Sequence, residues 1–227
     1  MTGMLASVNT VDEALWVFNA GVDIIDLKEP ANGALGALEP ETIATIVKRI
    51  NGECPISATI GDLPLHPEAI TSAVNRIAKT GVDYIKIGFF PEGDPLATLQ
   101  SLAPTTQQNV HLIAVFFADH NIDLSLLPVL KKYGFYGAMI DTADKKSGSL
   151  CHISREELLR SFINECQQHQ LFCGLAGSLS LADIPYLTTL NPDYLGFRGA
   201  LCHAHQRTEK LDPLAFKAVK EQLIKNT

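Results

Sequence analysis

Asn19-Ala20-Gly21-Val22-Asp23-Ile24-Ile25-Asp26-Leu27-Lys28 is the stretch whose reading decides the fold. A helical pattern runs out at Asn19, a glycine stops it, and a short apolar run leads to a lysine. Lys79-Thr80-Gly81-Val82-Asp83-Tyr84-Ile85-Lys86 repeats the same order. Glycine is favoured just past a helix C-terminus. The echo is therefore either a repeated structural unit or only the shared demand of any helix-to-strand turn, and by itself it leaves both open.

Working outward, short apolar runs alternate with amphipathic stretches along the chain. Strand candidates fall at residues 4–8, 24–28, 56–60, 84–88, 111–115, 137–141, 172–176 and 194–198. Helical patterns lie between them at 11–19, 41–50, 67–80, 124–133, 154–169, 181–190 and 213–224. Ser154 followed by Glu157 has capping-box spacing and predicts a helix start there. Strict strand–helix alternation implies a parallel sheet, and eight units imply one closed (β/α)8 TIM barrel over residues 1–227. The 227 residues suit a barrel of about 250 residues. An open doubly wound sheet is disfavoured because no G-x-G-x-x-G follows the first strand.

The chain is 46% hydrophobic and 19% charged, as expected when both faces of a parallel sheet are buried. A net charge of -7 argues against nucleic acid as a main partner. An anionic small substrate would then need a local basic pocket. The five cysteines form no C-x-x-C pair, so neither a zinc site nor a disulfide framework is indicated, and a reducing compartment is expected. No basic-then-apolar leader opens the chain, and no apolar run reaches the ~18 residues of a membrane span. The expectation is a soluble cytoplasmic protein; an assembly of identical subunits is left open.

In a TIM barrel the reactive groups sit where strands end. Lys28 closes the second strand candidate and Lys86 lies inside the fourth. A lysine in an apolar strand is costly unless it is paired or its pKa is lowered. One reading is structural: a buried ion pair, Lys28 with Asp26 at i, i+2, or Lys86 with a carboxylate on a neighbouring strand. The other is chemical. Two ammonium groups in one low-dielectric pocket repel, which lowers amine pKa values toward the ~7–8 useful for nucleophiles and bases. Two such lysines with acids beside them favour Schiff-base chemistry. Asp141, ending the sixth strand, is an acid/base or lysine-orienting candidate, or a cap for the next segment, and Asp62 after the third strand has similar standing. Lys145, in a polar loop, reads as a solvated surface charge.

Small residues crowd the last two strand ends, where this fold commonly binds phosphate on backbone N–H groups. Gly177, Ser178 and Gly199 are the expected cradle, Arg198 the bidentate cation, and Asp26 completes the expected substrate-binding set. The seven histidines form no H-E-x-x-H, His203-Ala204-His205 reads as an exposed loop, and no metal is expected.

Longer motifs carry a resemblance. They are Asp23 to Pro30 with Asn32-Gly33-Ala34-Leu35-Gly36-Ala37, Ser57 to Asp62, Asp83 to Gly88, Met139 to Ala143, Leu175 to Leu179 and Gly196 to Cys202. Together they resemble the (5-formylfuran-3-yl)methyl phosphate synthase family. The resemblance implies a barrel that condenses two molecules of glyceraldehyde 3-phosphate into a phosphorylated furan aldehyde on the way to methanofuran, without metal or organic cofactor. It implies that Lys28 forms the Schiff base and Lys86 accepts protons, with Asp141 and Lys145 also involved. The mechanism then expected is an enamine at Lys28 adding to a second aldehyde, followed by dehydration, ring closure and loss of one phosphate. One departure falls after Cys202: the family tends to have a glycine pair and an acidic residue before an arginine, whereas this chain reads His203-Ala204-His205-Gln206-Arg207. Two rival functions share the features above: a class I aldolase acting on another sugar phosphate, and a non-catalytic phosphate-ligand barrel.

Overall fold

The computed structural model describes residues 1–106 and 110–226. Its strands are β1 (Gly3–Val8), β2 (Ile24–Leu27), β3 (Ile56–Thr59), β4 (Tyr84–Gly88), β5 (His111–Phe117), β6 (Gly137–Asp141), β7 (Phe172–Leu175) and β8 (Tyr194–Phe197). They pair in sequence order into a closed barrel, β8 returning to β1, and every pairing is parallel. The α-helices among the described residues are α1 (Val11–Asn19), α2 (Pro40–Ile50), α3 (Pro67–Ala78), α4 (Pro95–Thr106), α5 (Leu126–Lys132), α6 (Leu150–Ile153), α7 (Glu156–Gln168), α8 (Ile184–Thr188) and α9 (Pro213–Lys225). This is the (β/α)8 barrel expected from the sequence.

The apolar runs follow from burial on both faces of the sheet. Outward-facing Ile25, Leu27, Ile85 and Ile87 join the cluster beneath the helices, while Leu5, Ile24, Val115, Met139 and Tyr194 pack inside the barrel. The Gly-Val-Asp echo has a shared structural role. Asp23 accepts the N–H of Met4 at 2.7 Å, Asp83 that of Ile56 at 2.8 Å, and Asp193 that of Cys173 at 2.6 Å. An aspartate entering an even-numbered strand thus satisfies an N–H at the start of the strand before it, where the ladder cannot.

Two local expectations fail. Helix α7 starts at Glu156 with Arg155 as its cap residue, and no side chain caps it. Ser154 instead terminates α6, and its buried Oγ bonds no described residue. Helix α4 has no counterpart among the sequence patterns. Its buried residues are Thr98, Leu99, Leu102 and Thr105, and it contains Pro104, so its apolar stripe is thin. Among the described residues no helix is long and apolar enough to cross a membrane.

Candidate active site

At the C-terminal end of the barrel a cavity of about 280 Å³ is lined by Lys28, Lys86 and Lys145, the carboxylates Asp26 and Asp141, and the small residues ending β7 and β8. Parallel register sets Ser7 of β1 and Ser57 of β3 on either side of Asp26. Both hydroxyls donate to the buried Asp26 carboxylate at 2.7 Å, and the ammonium of Lys86 lies 2.5 Å from it. Burial alone would raise the Asp26 pKa; the charges of Lys86 and Lys28 and the bonds from Lys86 and Ser57 reverse this and hold it below the usual range. Burial lowers the pKa of Lys86, and although Asp26 opposes the change, the ammonium still loses its proton more readily than an exposed lysine. Of the two ion pairs foreseen, Lys28 with Asp26 is not made, and Lys86 is paired with a carboxylate not on a neighbouring strand but one strand further away, on β2. The arm of Lys86 crosses β3, about two strand spacings or ~9.6 Å, to reach Asp26.

Lys28 stands one residue beyond β2, its backbone N–H bonded to the carbonyl of Val8 at 3.1 Å. Its Nζ lies 3.9 Å from Asp141 Oδ2, beyond hydrogen-bond reach, and it has no other polar partner among the described residues. Asp141 is occupied on its other oxygen, which accepts from Lys145 Nζ at 2.5 Å and from the Thr142 N–H at 2.7 Å. Burial would raise the Asp141 pKa, but Lys145 and Lys28 pull it down to about 2. Lys145 is brought down to about 8 by burial, with Asp141 resisting and Lys28 adding to the fall. The solvated reading of Lys145 is therefore corrected: its side chain is only 13% exposed and faces Asp141. Its i, i+4 relation to Asp141 was the available signal.

Gly177 and Gly199 line the same cavity with Ser178. Gly177 has φ +117, and a Cβ there would press on Thr142. Among the described residues the N–H groups of Ser178, Leu179, Gly199 and Ala200 donate to no protein acceptor. Arg198 departs from expectation. Its Nε donates to the carbonyl of Arg207 at 2.8 Å, Nη1 to Glu13 at 2.6 Å and to Ser7 O at 3.1 Å, and Nη2 to Glu209 O at 2.9 Å. With each nitrogen engaged inside the protein, Arg198 organises the loop after β8 and is not free to grip a phosphate. Asp62 likewise binds backbone: its two oxygens accept the N–H groups of Ala34 at 2.8 Å and Leu35 at 2.7 Å. It pins the loop that follows Lys28 and does not line the cavity.

Arg207 and His205, neither given a role in the site from the sequence, also enter the cavity wall; Arg207 Nη2 donates to Gly33 O at 2.9 Å. Arg207 closes the run in which the sequence departs from the family pattern, and that departure alone gave it no role. His203 and His205 fall on a short 3₁₀ turn and are exposed. No group of three or more His, Cys, Asp or Glu side chains among the described residues is arranged to hold a metal ion.

Barrel and cavity together define a TIM-barrel enzyme whose site is assembled from lysine–carboxylate contacts at the strand ends. Residues 4–220 match the family described as 4-HFC-P synthase. The chain is 32% identical over 229 residues to the (5-formylfuran-3-yl)methyl phosphate synthase of Methanosarcina acetivorans, covering 96% of this chain and 98% of that one. It is 44% identical over 210 residues to a Methylorubrum extorquens protein given the same name provisionally, covering 92% and 86%. Among solved structures, 3-hexulose-6-phosphate synthase from Salmonella typhimurium aligns over 100% of both chains with a TM-score of 0.72 and 14% identity, which supports the fold alone. The chain belongs to the 4-HFC-P synthase family.

Proposed function

We propose that this protein makes (5-formylfuran-3-yl)methyl phosphate from two triose phosphates through an imine at Lys28, as a step toward a methanofuran-type cofactor. The observation that carries the reading is the state of the three cavity lysines. Lys86 and Lys145 are each held on a carboxylate, while Lys28 lies between these pairs with its amine unbonded. An imine-forming lysine needs an open amine, with proton donors and acceptors beside it.

The substitution pattern of the product fixes the bond-forming step. An enamine at C1 of dihydroxyacetone phosphate adding to an aldehyde gives an unbranched six-carbon chain, and hence a furan substituted at both carbons next to oxygen. The 3,5 pattern instead joins the central carbon of one triose to the terminal carbon of the other. The enamine addition expected at first is therefore replaced. Glyceraldehyde 3-phosphate isomerises to dihydroxyacetone phosphate, whose carbonyl condenses with Lys28 and releases water. A second glyceraldehyde 3-phosphate loses its C2 proton and then its phosphate, leaving the enol of a dicarbonyl. The terminal carbon of that enol attacks the iminium carbon. The primary hydroxyl of the first triose closes on the new ketone; loss of water and elimination of the Lys28 amine complete the aromatic ring. Two trioses thus yield the furan, one phosphate and two waters, with no change in oxidation level, so neither oxidant nor redox cofactor is required.

Lys86 with Asp26, and Lys145 with Asp141, move the protons. Burial lowers the pKa of both amines, that of Lys145 to about 8, which makes them readier than exposed lysines to exchange protons with a substrate. The unengaged N–H groups at residues 178, 179, 199 and 200 suit the phosphate retained in the product. The test is borohydride reduction with triose phosphate followed by peptide mass spectrometry, alongside furan absorbance from glyceraldehyde 3-phosphate alone. An adduct on Lys28, absent in Lys28→Ala, with furan formed, is the expected result. Trapping without furan would indicate a different aldolase chemistry, and no adduct at Lys28 would end the reading.

A further inference from the structure

Two trioses bring two phosphates, and only one stays in the product. The proposed function therefore requires two anion subsites of different character, one retaining and one releasing. The cradle between β7 and β8 is built of buried or small residues, with Gly177 and Ala200 inside it. Running on from Gly199 and Ala200 of that cradle, the loop after β8 forms a strap: Cys202 bridges Leu211, His203 N–H donates to Lys210 O at 3.0 Å, and Asp212 N–H to Leu201 O at 2.8 Å. Arg198 anchors the strap from below through the carbonyls of Arg207 and Glu209. The side chain of Arg207 then extends from the strap to Gly33 of the loop following Lys28, so it reaches across the mouth between the two loops. It is half-buried, and only its Nη2 has a protein acceptor among the described residues; Nε and Nη1 have none. It lines the same cavity as Lys28, Lys86 and Lys145.

The geometry points to Arg207 as the receptor for the phosphate of the second triose, the group that leaves. The inference rests on the proposed function and deepens it. In the elimination a cavity amine takes the C2 proton, the C3–O bond breaks, and its electron pair departs on the phosphate. A guanidinium with two unengaged N–H-bearing nitrogens can meet that developing charge with paired hydrogen bonds. Its place at the mouth, where it also bonds Gly33 O, lets the freed phosphate escape to solvent, whereas the retained phosphate stays on the backbone N–H groups of residues 178, 179, 199 and 200. Arg198, the cation first expected to bind phosphate, acts as the residue that positions Arg207.

The test compares three readouts in wild type, Arg207→Gln and Arg207→Lys: furan absorbance, inorganic phosphate release, and borohydride adduct at Lys28 with dihydroxyacetone phosphate alone. For Arg207→Gln, furan formation and phosphate release should fall together by roughly 100-fold or more, while adduct yield stays within about twofold of wild type because the first triose binds elsewhere. Arg207→Lys should recover part of the rate, since a point charge replaces a fork. A parallel fall in adduct yield would overturn the assignment, placing Arg207 on the first triose or in the fold, and so would an unchanged furan rate. A wild type that yields neither adduct nor furan would refute the proposed function and take this assignment with it, a failure visible before any variant is made.

Discussion

Asp26→Asn probes how the buried pair is held. The amide keeps the shape of the carboxylate, its oxygen still accepting from one of Ser7 and Ser57 while its NH2 donates to the other hydroxyl, but it removes the charge 2.5 Å from the ammonium of Lys86. Removing one partner of a buried ion pair costs about 3–5 kcal/mol. Lys86, 2% exposed, cannot swing into water, but it can release its proton. Neutralising a lysine of ordinary pKa ~10.4 at pH 7 costs about 4.6 kcal/mol, at ~1.36 kcal/mol per unit, and this sets the ceiling for the penalty. At pH 9 the same product is only about 1.9 kcal/mol. A neutral Lys86 in the folded state binds one proton fewer than in the unfolded chain, so stability climbs with pH until the unfolded lysine also titrates. In the wild type Asp26 opposes the fall in the Lys86 pKa, so this climb is weaker. The deficit of Asp26→Asn relative to wild type should therefore shrink between pH 7 and 9, by up to about 2.7 kcal/mol. Urea titrations followed by far-ultraviolet circular dichroism can read this. With a slope of about 2 kcal/mol per molar, a 4 kcal/mol loss shifts the midpoint by about 2 M. Asp26→Asn combined with Lys86→Met removes the orphaned charge and should recover much of the loss. A deficit equal at both pH values, or a double variant as unstable as the sum of the singles, would refute the reasoning.

Two further perturbations address the other half of the cavity. With Lys145 at about pKa 8 and acting as a proton acceptor, the rate should rise about tenfold per pH unit toward pH 8 and level off above it. Asp141→Asn removes a neighbour that raises this pKa, so the break should move to lower pH, and an unmoved break would remove Lys145 from the role. Gly33→Ala tests the loop that follows Lys28: Gly33 has φ +102, and an added Cβ would overlap Asp62 Oδ2. Strain of about 1–3 kcal/mol and a reduced borohydride adduct at Lys28 are expected, and wild-type thermal stability would show that Asp62 does not pin this loop.

The barrel was legible because burial on both faces of each strand leaves a recurring apolar run, and because a lysine or aspartate interrupts that run only where the cavity opens. Lys28, Lys86 and Asp141 could be picked out on that ground alone. Lys145 could not, since its loop is polar in sequence and its burial comes from contacts with Asp141 and Thr142. Arg198 was visible as a cation at a strand end, yet its engagement by Glu13, 185 residues away, is a tertiary fact that no local pattern records. Ser154 misled for a related reason. The capping-box spacing was present, but a short preceding helix claimed the residue as its own end. Helix α4 escaped notice because threonines take two of its four buried positions.

Charge accounts for why the phosphate-binding elements sit where they do on the proposed reading. The chain carries a net charge of -7, a field that does not attract triose phosphates from a distance. Ionic screening confines that field to a Debye length of ~8 Å at physiological salt, so an approaching anion responds mainly to what lies nearest. The cavity wall presents Lys28, Lys86, Lys145, Arg198 and Arg207 against Asp26 and Asp141 alone. Arg198 is balanced by Glu13, Lys86 by Asp26 and Lys145 by Asp141. That pairing leaves Lys28 at the centre and Arg207 at the mouth as the basic groups without a carboxylate of their own. An amine left without a dedicated carboxylate can add to a carbonyl, and a guanidinium left without one can accept a phosphate. The local basic pocket that an acidic chain needs for anionic substrates is thus concentrated at two positions, both tied to the loop that begins at Lys28.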